Sequence, residues 1–200
     1  MSSLAQRLRK SFAASQDDSE PYILHPDMTG DLATLKTAAV LVPIIDAPRP
    51  RVLLTVRRAD LRAHAGQVAF PGGRIDPTDD GPIGGALREA WEEIALPAES
   101  VDIIATSRAF ATGSGYLITP VIGVIPDGLN LVPHEAEVAR LFEVPLDHIV
   151  AEANHVPKTT MFQGIERQYF EISWPDELIW GVTASLIISL APRLRAGIGS

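Results

Sequence analysis

The 200-residue sequence contains no cysteine. That absence excludes a disulfide scaffold, a thiolate zinc site, an iron–sulfur cluster and a cysteine nucleophile together. Lysine is nearly absent as well, occurring only as Lys10, Lys36 and Lys158, and the formal charge is −8 at pH 7. A general nucleic-acid-binding surface needs a net basic footprint, so no nucleic-acid partner is expected. An anionic ligand would have to be met by a local basic cluster or a bound cation. Long apolar runs are also lacking. The most apolar stretch, Leu178 to Ala191, is too short to cross a bilayer and is interrupted by Thr183, Ser185 and Ser189. No membrane partner is expected. The first ten residues lack the apolar core of a secretory signal. Arg7, Arg9 and Lys10 precede the first acid, Asp17, which weakly suggests an organelle transit peptide. A short amphipathic surface helix is the preferred reading, with a cytoplasmic location as the default.

What is present has the balance of a globular domain, with 46% hydrophobic and 21% charged residues. Its length suits one domain. Residues 1–30 read as an N-terminal helix and a polar linking segment, 31–192 as the main domain, and 193–200 as a short tail. Strand-like runs occupy Lys36–Ile45 and Arg51–Arg57, with Asp46-Ala-Pro-Arg-Pro50 between them as a hairpin turn. Shorter ones follow at Gln67–Phe70, Val101–Ala105, Tyr116–Ile125 and Arg167–Ser173. Helices are expected over Gly85–Leu96, after the turn-rich Asp76–Pro82, and from about Pro175 to Leu190. Helices interleaved with strands predict a layered α/β domain.

The stretch from Leu87 to Ile94 carries the chemistry. At 100° per residue, Leu87, Ala90, Trp91 and Ile94 share one face, and Glu89, Glu92 and Glu93 the opposite one, with Arg88 at its edge. Leu87 and Trp91 are expected in the core. The acids could be no more than a solvated face. Against that, Glu89 stands three and four residues before two like charges, which costs a few tenths of a kcal/mol per pair. Asp76, Asp79, Asp80 and the Gly72-Gly73 pair lie just upstream. Carboxylates at i and i+4 can reach one hard divalent cation, so Glu89 and Glu93 are the first candidate ligands and Glu92 the third.

Gly73, Asp79, Arg88-Glu-Ala-Trp-Glu-Glu93 and Ile94-Ala-Leu96 resemble the Nudix box. Asp79 stands where the common form has Glu, the gap from Asp79 to Arg88 is one residue longer, and Ala95 replaces a glycine. The resemblance implies a Nudix-type α/β/α sandwich with a mixed β-sheet. It also implies hydrolysis of nucleoside diphosphate derivatives with Mg²⁺ or Mn²⁺, and a Gly73 carbonyl that completes the metal shell. Arg88 would orient a carboxylate. The general base stays open among Glu89, Glu135 and Glu137.

Further motifs narrow the resemblance. Leu53-Leu-Thr-Val-Arg-Arg58 and Leu61-Arg-Ala-His-Ala-Gly-Gln-Val-Ala-Phe-Pro-Gly-Gly73 are similar to the signature of the coenzyme A diphosphatase branch. So are Thr119–Gly123, Glu137-Val138 with Pro145-Leu146, and Trp180–Ala184. That branch implies cleavage of coenzyme A or its thioesters to 4′-phosphopantetheine and adenosine 3′,5′-bisphosphate. Between Arg51 and Arg74 five arginines stand against Asp60 alone, a local charge of +4. Within this segment Arg57, Arg58, Arg62, His64, Gln67 and Phe70 are the candidate substrate-binding residues, guanidinium forks being suited to phosphate. ADP-ribose, NADH or another nucleoside diphosphate derivative is the alternative substrate. A non-hydrolytic nucleotide sensor is a different class of reading. A homodimer is allowed by analogy with the superfamily.

Overall fold

The computed structural model describes residues 3–14, 20–24, 31–60, 64–162 and 164–199. The chain opens with helix α1 (Leu4–Ala13) and a two-residue strand β1 (Tyr22–Ile23). Strands β2 (Lys36–Asp46), β3 (Arg51–Arg57), β4 (Val68–Ala69) and β5 (Gly72–Arg74) lead into helix α2 (Gly81–Ile94). Next come β6 (Asp102–Thr106), β7 (Phe110–Ala111), β8 (Tyr116–Pro126), β9 (Val138–Pro145) and the short helix α3 (Leu146–Ile149). The antiparallel strands β10 (Val156–Phe162), β11 (Ile165–Trp174) and β12 (Glu177–Trp180) precede helix α4 (Gly181–Ile198).

The main sheet is mixed. β2 runs parallel to β8 over eleven residue pairs, from Lys36–Tyr116 to Asp46–Pro126. Its antiparallel neighbours are β3, through the expected hairpin, and β5. β3 in turn pairs with β9 and β4. Alternate residues of β2 enter two different cores, as a strand covered on both faces requires. Ala39, Leu41 and Ile45 pack against α2 through Ala86, Ala90 and Ile94. Val42 and Ile44 face the other way, towards Leu8 of α1, Ile172 and Ile179 of the small sheet, and Ile187, Leu190 and Leu194 of α4. The result is an α/β/α sandwich built on a mixed sheet.

Several expectations change. Helix α2 starts at Gly81 rather than Gly85, because Pro82 is compatible with a first turn, whose N–H groups have no intrahelical acceptor. It stops at Ile94, where Ala95 takes the left-handed conformation at φ 53°. The helix is also rotated from the predicted face. Ala86, Ala90, Glu93 and Ile94 are its buried side, and Trp91 is 57% exposed. Two alanines let the helix approach the sheet closely, and the inward turn of Glu93 carries the indole outward. At the C-terminal end Glu177–Trp180 pairs with β11 as a strand. The helix then runs to Ile198, so residues 193–198 are helical rather than a tail. The apolar stripe of α4 continues through Ala191 and Leu194, and α1 covers it.

Helix α1 is accordingly not a surface helix. Leu4, Leu8 and Phe12 are buried, and Ser11 Oγ donates to the Arg193 carbonyl at 2.7 Å. Ser3 caps it through a reciprocal bond pair with Gln6. The strands absent from the expectation (β1, β5, β7, β9, β10 and β12) are short, or, in β9 and β10, interrupt their apolar residues with charged or polar ones.

Candidate active site

Sequence places Gly72-Gly73 on an edge of β2 and the acids of α2 above it. A Cβ on Gly72 would lie 2.4 Å from the Ala39 carbonyl oxygen, so only glycine allows this strand to close. A Cβ on Gly73 would lie 2.6 Å from the Glu89 carboxyl carbon. The Glu89 carboxylate therefore rests directly on the bare Gly73 backbone.

Glu93 sits deeper, its side chain 7% exposed. Its Oε2 accepts the Gly72 N–H at 3.2 Å, and its Oε1 lies 3.6 Å from Arg57 Nη1. Its own backbone carbonyl accepts the His134 N–H, and the Ile94 carbonyl accepts that of Val132, which fastens the 132–138 loop to the end of α2. Burial pushes the Glu93 carboxyl up to about 7; Gly72 N–H and Arg57 oppose the rise, and the charges of Glu89 and Glu137 add to it. Burial also raises Glu89, against the pull of Arg88. Three acids thus share one field, two of them well withdrawn from water.

Arg88 is the organiser. It grips Asp79 with two bonds, Nε to Oδ1 at 2.9 Å and Nη2 to Oδ2 at 3.0 Å. Nη1 donates to both Glu89 Oε1 and Glu92 Oε2 at 3.0 Å, and Nη2 donates to the Arg74 carbonyl at 2.8 Å. The Arg88 hydrogen bond, helped by the Asp76 N–H, holds Asp79 below the usual carboxylate range. Arg88 therefore orients carboxylates and ties the turn before α2 to its middle. Glu92 points outward, its side chain 54% exposed, and does not join Glu89 and Glu93.

The expected arginine cluster is dispersed. Arg51 bonds Glu143 and Asp127 at the far end of β3. Arg58 holds Asp60 with two bonds and donates to the Glu135 carbonyl at 2.6 Å. Arg57 turns towards Glu93, with its Nε buried and without a hydrogen-bond partner. Each of these arginines therefore faces an acid of this chain. Arg62 lies outside the described residues. His64, at φ 56°, donates from Nδ1 to Gln67 Oε1 at 2.8 Å on an exposed turn. Phe70 is 4% exposed and packs within the core beneath α4. The hydrophobic alternation of Val68 and Phe70 carried that outcome. Asp79, Gly72 N–H and His134 N–H are the supporting groups that helix periodicity alone does not reveal.

Two oxygen-rich carboxylates, an adjacent bare backbone and a neighbouring third acid fit a hard cation in the nature of their donors. Among the described residues, no three His, Asp or Glu side chains converge closely enough to enclose an ion by themselves. A hard divalent cation can be held by one or two carboxylates, with its remaining positions filled by water and substrate phosphates. Glu89 and Glu93, with the Gly73 backbone, are the residues that would hold it.

A strand–turn–helix that sets an Arg-Glu-x-x-Glu-Glu segment against paired glycines is the arrangement of the Nudix class, and the NUDIX domain model matches residues 35–163. The chain belongs to the Nudix hydrolase family. More particularly, it is similar to the Nudix hydrolase NudL of Photorhabdus laumondii, 43% identical over 79% of this chain and 84% of that protein. NudL of Citrobacter koseri is 41% identical over 86% of this chain and 90% of that one. Among solved structures, the Nudix hydrolase RenU of M. smegmatis is 31% identical, covering 56% of this chain and 72% of that one, with a TM-score of 0.49. Nudix hydrolases act on small molecules and generally use divalent metal ions. No helix among the described residues is long and apolar enough to cross a membrane.

Proposed function

We propose that this hydrolase cleaves the pyrophosphate bond of coenzyme A or its thioesters, releasing 4′-phosphopantetheine and adenosine 3′,5′-bisphosphate. The chemistry rests on one observation: Glu93 is buried beside Glu89 and Glu137, an arrangement of like charges that a bound cation would relieve. The choice of substrate rests on the Leu53–Arg58 and Leu61–Gly73 segments, which resemble the coenzyme A diphosphatase signature.

In this reading Glu89 and Glu93 hold Mg²⁺ or Mn²⁺ with the Gly73 carbonyl, and Glu92 serves from the rim. When bound, the metal offsets the charge of the pyrophosphate and polarises the attacked phosphorus. Glu137 takes a proton from the attacking water as the new O–P bond forms and the bridging P–O bond breaks. Arg88 is a positioning residue that keeps Glu89 in place through the Asp79 clasp. Arg57 lies against Glu93, and Arg58, Arg62, His64 and Gln67 are the further candidates for contact with the substrate. A cytoplasmic location and a homodimer belong to the same proposal.

The test is product analysis. Purified protein is incubated with coenzyme A, ADP-ribose and NADH, each with and without Mg²⁺ or Mn²⁺, and products are identified by mass. Formation of the two coenzyme A halves well above turnover of the other substrates is expected. Cleavage of ADP-ribose or NADH alone would keep the Nudix chemistry and overturn the substrate.

A further inference from the structure

The β3–β9 ladder contains an irregularity beside the acids. Its register passes from Val56–Arg140 to Arg57–Val138, so β9 supplies one more residue than β3, and Ala139 is left over. A bulge of this kind bends its strand and re-aims the side chains around it. Beside it lies an open, solvent-facing depression of about 550 Å³, lined by Arg58, Ala59, Asp60, Pro133, Val138 and Ala139, with Glu135. That volume lies in the range ligand cavities occupy.

Its position is tied to the site by three contacts. Val138 follows Glu137, whose charge acts on Glu89 and Glu93. Arg57, opposite Val138 in the ladder, lies against Glu93. The loop that carries Pro133 and Glu135 is bonded at His134 to the Glu93 backbone. A second cavity of similar volume, at Ser3, Arg7, Asp46 and Ile198, shares no residue with the site.

The chemistry of the walls selects the occupant. Ala59, Pro133, Val138 and Ala139 are apolar. Among the described residues of the walls the one cation is Arg58, whose Nε and Nη2 are bonded to Asp60 and whose Nη1 is bonded to the Glu135 carbonyl. It is matched by Asp60 at once and by Glu135 beyond, so the described walls carry no free positive charge for a phosphate. A neutral chain of methylene, amide and hydroxyl groups suits them.

We propose that the cavity at the Ala139 bulge receives the uncharged pantetheine arm of the substrate, and that the phosphorylated nucleoside lies elsewhere. This rests on the coenzyme A reading above and adds which half of the molecule each side of the acid site takes.

The test uses the two halves separately. Wild type and Ala139→Phe are titrated by calorimetry with 4′-phosphopantetheine and with adenosine 3′,5′-bisphosphate in the presence of Mg²⁺. The extra ring at an unpaired bulge position should weaken 4′-phosphopantetheine about tenfold and leave the nucleotide half unchanged. KM for coenzyme A should rise in step, with kcat held. Ala59→Phe, filling from the other wall, repeats the test if Ala139→Phe melts early. The proposal is overturned if 4′-phosphopantetheine does not bind wild type, if neither half responds, or if the nucleotide half is the one weakened. Binding is read without turnover, so a wild type that cleaves only ADP-ribose would refute the substrate reading separately.

Discussion

Replacing Gly73 by alanine separates catalysis from stability. The added Cβ would stand 2.6 Å from Glu89 Cδ and Oε1 and 2.7 Å from Oε2, whereas ordinary contact begins at 3.4 Å. The carboxylate must therefore retreat by about 0.8 Å to regain ordinary contact. The backbone raises no objection, since Gly73 is not among the glycines at positive φ. Alanine also lowers the entropy of the unfolded chain, worth about 0.4–1 kcal/mol of stability. That gain offsets much of the cost of swinging one side-chain tip, and the melting temperature should move by only a few degrees. If Glu89 works as proposed, a displacement approaching 1 Å should by contrast cost about 10²-fold in rate. The assay is kcat/KM for the substrate that wild type cleaves, at saturating metal, alongside thermal unfolding. Wild-type kcat/KM in a folded Gly73→Ala protein would refute the claim that Glu89 works where it rests. A collapse of the melting temperature would refute the claim that its carboxylate can yield.

Glu93→Gln should lose several orders of magnitude in kcat with the fold retained, as circular dichroism and activity at saturating metal would show. Without metal, the folded state keeps a proton on Glu93 between the ordinary 4.5 and about 7 that the unfolded chain has released. Stability from this group is present below pH 4.5 and lost as pH rises through 7, a change on the order of 3 kcal/mol. Thermal melts in chelator should therefore fall with pH across that window, and Glu93→Gln should flatten the slope; a rise would contradict the burial of this acid. Leu8→Ala should destabilise by about 2–5 kcal/mol, read by urea unfolding, because the side chain is fully buried against α4. A cost below about 1 kcal/mol would mean that α1 does not belong to the core.

The acid pair was legible because an i, i+4 spacing puts two side chains over one helical turn, and the two long strands were legible from their apolar runs. Periodicity misjudged the rotation of α2, since it assumes that acids face water. Glu93 faces inward, and Trp91 takes the exposed position in its stead. The arginine segment misled for a related reason. Local charge counts neighbours in sequence, but Arg51 meets Asp127 and Glu143, which lie 76 and 92 residues away. Strand β9 was hidden because Arg140 and Glu143 break its apolar pattern, and its bulge cannot be seen without a partner strand. Arg88 was expected beside carboxylates because its neighbours on the same helix are acids, and its guanidinium bonds Asp79, Glu89 and Glu92.

The union of α1 with α4 has a consequence for how the molecule is made. Arg7 donates to the Gly197 carbonyl across 190 residues of chain, and Gly197 meets Leu8 so closely that a Cβ there would lie 2.5 Å from its Cδ2. At about 5–20 residues per second of synthesis, that separation corresponds to roughly 10–40 s. For all of that time the stripe of Leu4, Leu8 and Phe12 is without the surface that finally covers it. The sandwich can be sealed only once α4 has emerged.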